Sequence, residues 1–151
     1  MDLHDLTGYL IHRTDVKLTN YFTKKLKPYG VTPEQWSIIS ILDDQRGTTQ
    51  KELVEAIDKN QTTIVRMVHS MEKKGLIKRI FNEQDRRSHY LFLTEKGAET
   101  KKTISPAVKD AHLFVTRQLS EEEIDQLKTL LNKVYNTPML ITIPYKDDIS
   151  L

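Results

Sequence analysis

Apolar residues recur at helical spacing in the segment from Asn60 to Gly75. They occupy positions i, i+3, i+4 and i+7, which predicts one apolar stripe along an α-helix: Ile64, Met67, Val68 and Met71. The side chain of Asn60 can cap the first turn, and Gly75 can end the helix in a left-handed conformation. The pattern therefore predicts a helix that packs through one side only.

The other side of this helix carries amides, hydroxyls, a small apolar group, a guanidinium and an imidazole: Gln61, Thr62, Val65, Arg66 and His69. Amides, hydroxyls, methyl groups and guanidinium groups read base edges in the major groove of DNA. The same two-faced pattern is also typical of an ordinary surface helix. The neighbouring segments are therefore needed to distinguish a helix that reads DNA from an ordinary surface helix.

Capping signals divide the preceding sequence into three helices. A first helix is expected from about Leu3 to Lys27, and Thr32-Pro33-Glu34-Gln35 begins a second one that runs to about Leu42. The second helix is apolar on most sides, so we expect it to be buried. Thr49-Gln50-Lys51-Glu52 is another capping box and opens a third, short helix. Its inward residues are expected to be Leu53, Ala56 and Ile57.

The short third helix and the Asn60 helix, joined by a tight turn, form a helix-turn-helix pattern, although the turn lacks the glycine often found there. Two strands follow, from Leu76 to Ile80 and from His89 to Leu93, where apolar and polar residues alternate. The polar loop between them carries Arg86 and Arg87 at its tip. A helix-turn-helix followed by a strand, a basic loop and a second strand predicts a winged helix. A basic wing of this kind can lie in a narrow minor groove of DNA.

The C-terminal third is predicted to be helical. Thr94 can cap a long helix to about Gln118, with a kink or break at Pro106. A capping box at Ser120 opens another helix that ends before Pro138. The tail from Met139 to Leu151 begins with an apolar run, so we expect it to pack at the dimer region described below rather than to be disordered.

Composition narrows the function classes. The 151 residues suit a single domain, and the absence of cysteine excludes disulfides and thiolate metal sites. The net charge is only +2, but the segment from Thr48 to Gly97 has ten Lys and Arg against seven Asp and Glu, a net of +3. A mildly basic middle suits a localised nucleic-acid footprint. Neither a membrane span nor a signal peptide is visible, so a cytoplasmic protein is expected.

Three segments resemble those of MarR-family transcriptional regulators. The segment Asp85–Gly97 (DRRSHYLFLTEKG) meets every fixed position of that family's D-x-R-x-x-x-L-x-L-T-x-x-G signature. The segment Met71–Arg79 is similar to its L-E-x-x-G-L-[IV]-x-R pattern, with methionine in place of the first leucine. The segment Val31–Trp36 is similar to the entry into its second helix. The resemblance covers residues 3–137.

This resemblance implies a mainly α (α+β) fold, a winged helix-turn-helix with a two-stranded β-wing and with N- and C-terminal dimerisation helices. Residues 1–30 and 98–137 would form the dimerisation region, and residues 31–97 the DNA-binding region. The protein would be a homodimer that binds a pseudo-palindromic operator on double-stranded DNA, most simply as a repressor. No cofactor and no enzymatic activity are implied.

Site residues follow from the resemblance and from side-chain chemistry together. The recognition helix would contact DNA through its cap and first two turns: Asn60, Gln61, Thr62, Thr63, Val65 and Arg66. Gln50 and Lys51 begin the preceding helix, whose positive end suits a phosphate. In the wing, Arg87 would enter the minor groove, Asp85 would support the wing, and Arg86 would contact a phosphate.

The family resemblance also implies a pocket for phenolic or other aromatic anions, between the dimerisation helices and the winged helix. His12, Arg13 and Trp36 are candidates for it by position only. One alternative is a metal-responsive regulator with His and carboxylate ligands, but none of the five histidines forms an H-x-x-x-H or H-E-x-x-H pair. Another alternative is a winged helix that serves only protein contacts.

Overall fold

Most helices of the computed structural model begin at the polar caps that the sequence predicts, whereas the first helix follows Leu6 and has no side-chain cap. At Thr32, Thr49 and Ser120 the cap side chain accepts a hydrogen bond from the residue three positions on, and that residue's side chain accepts one from the cap N–H. The helices are α1 (Thr7–Leu26), α2 (Pro33–Ile41), α3 (Gln50–Ile57), α4 (Gln61–Lys73), α5 (Glu95–Val115) and α6 (Glu121–Tyr135). Short 3₁₀ turns precede and follow α1, at Leu3–Asp5 and Lys27–Tyr29.

The structure describes residues 1–139, with the side chain of Arg86 excepted. The chain divides into two compact units, Met1–Val115 and Thr116–Leu151. The C-terminal tail beyond Met139, for which packing was expected, lies outside the described residues. In the part of the chain that the structure describes, no helix is long and apolar enough to cross a membrane.

The turn between α3 and α4 is made without glycine. Asp58, at the end of α3, has a φ of 61° and a ψ of 33°, the left-handed conformation in which a glycine is usually found. Aspartate tolerates this conformation better than most residues, since its short polar side chain can bond locally. The helix-turn-helix pattern is therefore preserved, and α4 begins three residues later at Gln61.

The wing is part of a three-stranded antiparallel sheet, in the order β1 (Thr48–Thr49), β3 (Asp85–Leu93), β2 (Ile77–Asn82). The two predicted wing strands are confirmed, and the third, very short strand was not predicted. The predicted wing loop is wrong in extent, because β3 begins at Asp85 and only a two-residue turn separates it from β2.

Strand register explains where the wing arginines lie. Pairing is regular from Ile77 opposite Leu93 to Phe81 opposite His89, and then shifts so that Asn82 faces Asp85. Residues 86–88 therefore bulge from the ladder without a partner on β2. Arg86 and Arg87 belong to the start of β3 rather than to a loop tip.

The core of the first unit lies where α2, α3, α4 and α5 meet the sheet. Its fully buried side chains come from all of these elements and from the end of α1: Leu26, Ile38, Ile39, Leu42, Leu53, Ile64, Val68, Met71, Leu91, Leu93 and Ile104. Ala56, expected to face inward, is exposed, because Leu53 and Ile57 one turn apart already form the inner stripe of the short α3. The expected burial of α2 holds for one side only, since Ile41 is exposed.

A break of α5 at Pro106 is not observed, since one helix runs from Glu95 to Val115. A proline removes one intrahelical hydrogen bond and crowds the preceding turn. Buried residues on either side of it, Ile104 and Ala111, hold the helix in place. In the second unit, α6 has an apolar stripe at helical spacing that stays exposed: Leu127, Leu130, Leu131 and Val134.

Candidate nucleic-acid interface

Helix α4 has two sides with opposite environments. Ile64, Val68 and Met71 are 0% exposed and anchor the helix in the core. The opposite side presents side chains to solvent: Gln61, Thr62, Val65, Arg66 and His69. Thr63, also predicted as a contact residue, is half-buried. A helix that reads base edges needs one side packed in the core and an open side that carries mixed polar groups.

Asn60 fixes the start of α4. Its side-chain Oδ1 accepts a hydrogen bond of 2.8 Å from the backbone N–H of Thr63. Because this bond occupies the carbonyl group of the amide, the side chain holds the helix end in place. The positive end of the helix and the exposed side chains of its first turn then point the same way.

The start of α3 lies beside the start of α4. Gln50, Lys51 and Gln61 line one cleft of about 340 Å³, together with Val54 and Glu55. Three of the residues predicted to contact DNA, which are up to eleven positions apart in sequence, are therefore neighbours in space. The cleft presents two amides and one ammonium group, which can donate hydrogen bonds to phosphates and base edges, beside the carboxylate of Glu55.

The carboxylate of Glu52 lies at the N-terminal end of α3. The backbone N–H of Thr49 donates to it at 2.7 Å and the hydroxyl of Thr49 at 3.1 Å, and these two bonds lower the pKa of Glu52 below its ordinary value. An anion already caps this helix. A phosphate at this end would therefore be held by the side chains of Gln50 and Lys51 more than by the helix end itself.

In the wing, Asp85 accepts a hydrogen bond of 3.0 Å from the backbone N–H of Arg87 through its Oδ1. Asn82 closes the turn in the same way by accepting from the N–H of Gln84 at 3.0 Å. Both contacts hold backbone, and the side chain of Arg87 is exposed. The bulge and these bonds thus fix the main chain while leaving the guanidinium of Arg87 open to a partner.

Three contacts between elements were missed by reasoning from the sequence. Glu72 of α4 pairs with Arg79 of β2, and Arg79 also contacts His89 of β3. The ammonium of Lys96, on α5, donates to the carbonyl oxygen of Lys74 at the end of α4, 2.8 Å away. The only signal for them in the sequence was the alternation of side chains along β2, which places Arg79 on the same side of the strand as buried Ile77.

The structure does not bring the three candidate ligand residues together. His12 and Arg13 are exposed on α1, where the guanidinium of Arg13 lies 3.4 Å from Nδ1 of His4, and Trp36 packs against the core from α2. A cleft of about 490 Å³ lies elsewhere, between α1, the following turn and α5. It is lined by Tyr21, Lys25, Pro28, Tyr29, Ala107, Asp110, Ala111 and Phe114.

This cleft has an aromatic wall and a cation. The rings of Tyr21 and Phe114 are stacked, with centroids 5.5 Å apart and planes at 13°. The ammonium of Lys25 lies 5.5 Å from the centroid of the Tyr21 ring. Among residues 1–139, no group of three or more His, Asp or Glu side chains is placed to hold a metal ion.

Comparisons with known proteins agree on one family. The sequence model of the MarR family matches residues 31–89. MgrA, an HTH-type transcriptional regulator of Staphylococcus aureus, is 30% identical over 139 residues, which are 88% of this chain and 92% of MgrA.

Several of the similar solved structures contain DNA. The S. aureus MepR–DNA complex is similar to the chain with a TM-score of 0.82 at 26% identity, over 88% of this chain and 98% of that one. A mutant MarR from E. coli complexed with operator DNA has a TM-score of 0.78 at 27% identity, over 84% and 91% of the two chains. Both similarities cover more than four fifths of this chain.

Proposed function

Because the chain belongs to the MarR family, we propose that it is a transcriptional regulator that binds a specific operator on double-stranded DNA as a homodimer and represses transcription from it. The observation that carries this proposal is the two-sided α4, with Ile64, Val68 and Met71 fully buried and Arg66 and Val65 exposed opposite them. MepR and MarR, which are similar over most of their length, have been solved with DNA.

Base reading is assigned to the first two turns of α4. Arg66 can donate two hydrogen bonds to O6 and N7 of a guanine, and the amide of Gln61 can pair with N6 and N7 of an adenine. Val65, 39% exposed, offers a methyl surface to the methyl group of a thymine. Asn60 and Thr63 support these contacts through the cap bond.

Phosphate contacts are assigned to the flanks of this helix. Gln50 and Lys51 approach from the start of α3, next to Gln61. Arg87 is exposed in the wing and is assigned to the minor groove, where a guanidinium is attracted by the negative potential of narrow A·T-rich stretches. Arg86, adjacent in sequence, is assigned to a phosphate. Together these residues would flank the base-reading helix with positive charge.

The homodimer is supported by apolar surface in each unit separately. In the first unit, α1 exposes Leu10, Ile11 and Val16 by 36% to 44%. In the second unit, the stripe of α6 is exposed by 40% to 53%. Apolar stripes of this kind are characteristic of helices that bury one side against a partner. Both helices lie in the segments, residues 1–30 and 98–137, to which the family resemblance gives a role in dimerisation.

An aromatic anion is the effector that the first unit favours. The cleft beside Tyr21 combines an apolar aromatic wall with the ammonium of Lys25, and the carboxylate of Asp110 also lines it. A carboxylate on an aromatic ring would meet both a ring surface and a cation if it docked on the Lys25 side. This cleft replaces His12, Arg13 and Trp36 as the proposed binding place. A thermal-shift comparison of benzoate with cyclohexanecarboxylate, on the protein and on Lys25→Met, tests the effector. Stabilisation by benzoate alone, lost in the variant, is expected, and equal or absent shifts would remove the effector from the proposal.

The direct test of the regulator is a gel-shift titration with the DNA upstream of the protein's own gene. A discrete complex is expected with one fragment in moderate salt, at concentrations where a scrambled fragment of equal length stays free. Footprinting should then show two half-sites related by a pseudo-two-fold axis. If every fragment binds equally and binding disappears with added salt, the affinity is non-specific and the proposal fails. A winged helix devoted to protein contacts would give no salt-dependent binding at all.

A further inference from the structure

Three polar side chains from three elements form a chain of contacts behind the wing. Arg79 of β2 pairs through Nε with the carboxylate of Glu72 on α4, and its terminal nitrogen lies 2.9 Å from Nε2 of His89 on β3. The side chains of Glu72 and Arg79 are only 24% and 28% exposed, and His89 is half-buried. Charged contacts that are partly shielded from water are worth more than exposed pairs.

The contact with Arg79 dictates the protonation of His89. A guanidinium has donors only, so Nε2 of His89 must accept and cannot carry a proton. The neutral ring therefore has its proton on Nδ1. Protonation of Nε2 would place two cationic donors against each other at hydrogen-bonding distance, and the bond between β3 and Arg79 would be lost.

His89 also occupies a particular place in the strand. It is opposite Phe81, with ring centroids 6.1 Å apart at 70°, and this pair is the last one before the register shifts. The next three residues toward the turn, including Arg87, have no partner on β2. The bulge that carries Arg87 is thus linked to α4 through His89, Arg79 and Glu72.

We infer that His89 is a positioning residue, which holds the wing arginine at a fixed place relative to the recognition helix and makes operator affinity fall on acidification. This inference rests on the proposed function. The charged and titratable groups around it are Arg79 on β2, Glu72 with His69 4.0 Å from it on α4, and Asp85 and Arg87 on β3. Protonation of exposed His69 adds positive charge and favours DNA, so the two histidines act in opposite directions.

Operator titrations by fluorescence anisotropy at constant ionic strength test the inference. As the pH is lowered from about 7.5, protonation of His89 should lower the wild-type affinity by roughly three- to tenfold, the net size of one lost hydrogen bond. His89→Gln keeps an acceptor at the same distance along the side chain without titrating, so it should bind like the wild type at the higher pH and lose less on acidification. The control His69→Gln should lose at least as much as the wild type. Wild-type affinity that is flat or rises on acidification, or an equal fall in His89→Gln, would overturn the inference.

A second measurement is independent of DNA. Long-range ¹⁵N–¹H correlation spectra report which ring nitrogen of each histidine carries the proton, and His89 should have its proton on Nδ1 near neutral pH. Arg79→Met should move it to Nε2, the nitrogen that carries the proton in most neutral side chains of free histidine. A proton on Nε2 in the wild type would refute the positioning role even if operator binding is intact. The predicted tautomer without any operator binding would instead count against the proposed function alone.

Discussion

The ammonium nitrogen of Lys101, on α5, lies 2.9 Å from the backbone carbonyl oxygen of Leu42, to which it donates a hydrogen bond. The same nitrogen lies 3.0 Å from the carbonyl oxygen of Ser40. Carbonyls at the C-terminal end of a helix lack partners within it, and a positive charge is favourable there. One lysine therefore caps α2 and joins it to α5.

Replacing Lys101 by methionine keeps the aliphatic stem and removes the donor. The free energy of unfolding should fall by about 1–2 kcal/mol, because two carbonyls lose a charged partner. Urea unfolding followed by circular dichroism measures the change. Lys102→Met, at the next and exposed position, is the matched control and should stay within about 0.5 kcal/mol of the wild type. Equal midpoints for the two variants would contradict the capping role.

Gly97, buried on α5, has no room for a side chain. A Cβ at this position would collide with the backbone carbonyl oxygen of Leu76, which cannot move without shifting the start of β2. Gly97→Ala should therefore lower the free energy of unfolding by more than about 2 kcal/mol. Gly8→Ala places a Cβ with nothing within 4 Å and should keep or raise stability by up to about 1 kcal/mol. Thermal unfolding of both variants checks the contrast, and similar melting temperatures would contradict it.

Substitutions at Asn60 separate its structural role from DNA binding. Asn60→Ala loses the cap bond to Thr63 and should cost about 1 kcal/mol of stability. Asn60→Asp keeps an acceptor, and its negative charge suits the helix end, so stability should be preserved. The same charge faces the phosphates in the proposed complex, so operator affinity should drop. Thr32→Asp, at the cap of α2, adds the same charge away from this helix and should leave the affinity nearly unchanged. Unaltered affinity in Asn60→Asp would place the start of α4 away from DNA.

The capping box of α3 should make stability depend on pH. The pKa of Glu52 is lowered below its ordinary 4.5 by the backbone N–H and then the hydroxyl of Thr49. Its contribution to stability is therefore complete above that value, and is lost as the pH falls through the lower folded-state pKa. Glu52→Gln should be less stable than the wild type near neutral pH, and the difference should vanish in acid. Urea midpoints measured across this range test the prediction. Gln35→Ala is the control: it removes the uncharged side chain of the α2 capping box, so the loss of stability should not vary with pH.

Much of the fold could be predicted from local sequence because helix caps are local. The bonds at Thr32, Thr49 and Ser120 each join residues three positions apart, so their signals survive in a single sequence. Strand β1 was missed because its partners, Tyr90 and Leu91, lie about forty positions away. The extent of the wing loop was wrong for a related reason, since the register shift near Asn82 depends on pairing between strands.

In the candidate site too, local features could be predicted from the sequence and contacts between elements could not. The exposed side of α4 follows from helical period alone, so Gln61, Val65 and Arg66 could be named in advance. The cleft that places Gln50 beside Gln61 depends on how α3 and α4 pack, and the Glu72–Arg79–His89 contacts depend on strand register. Periodicity along one element carries no information about such contacts between elements.

The ratio of operator affinity to non-specific affinity tests the central claim most directly. Anisotropy titrations with the footprinted fragment and with a scrambled one, in the same buffer, should give a wild-type ratio on the order of a thousand or more. Arg87→Ala should weaken operator binding by about 1–3 kcal/mol, whereas Lys102→Ala, which removes a charge elsewhere, should leave the ratio unchanged. A wild-type ratio near one would contradict the account, because the exposed side of α4 would then read no sequence.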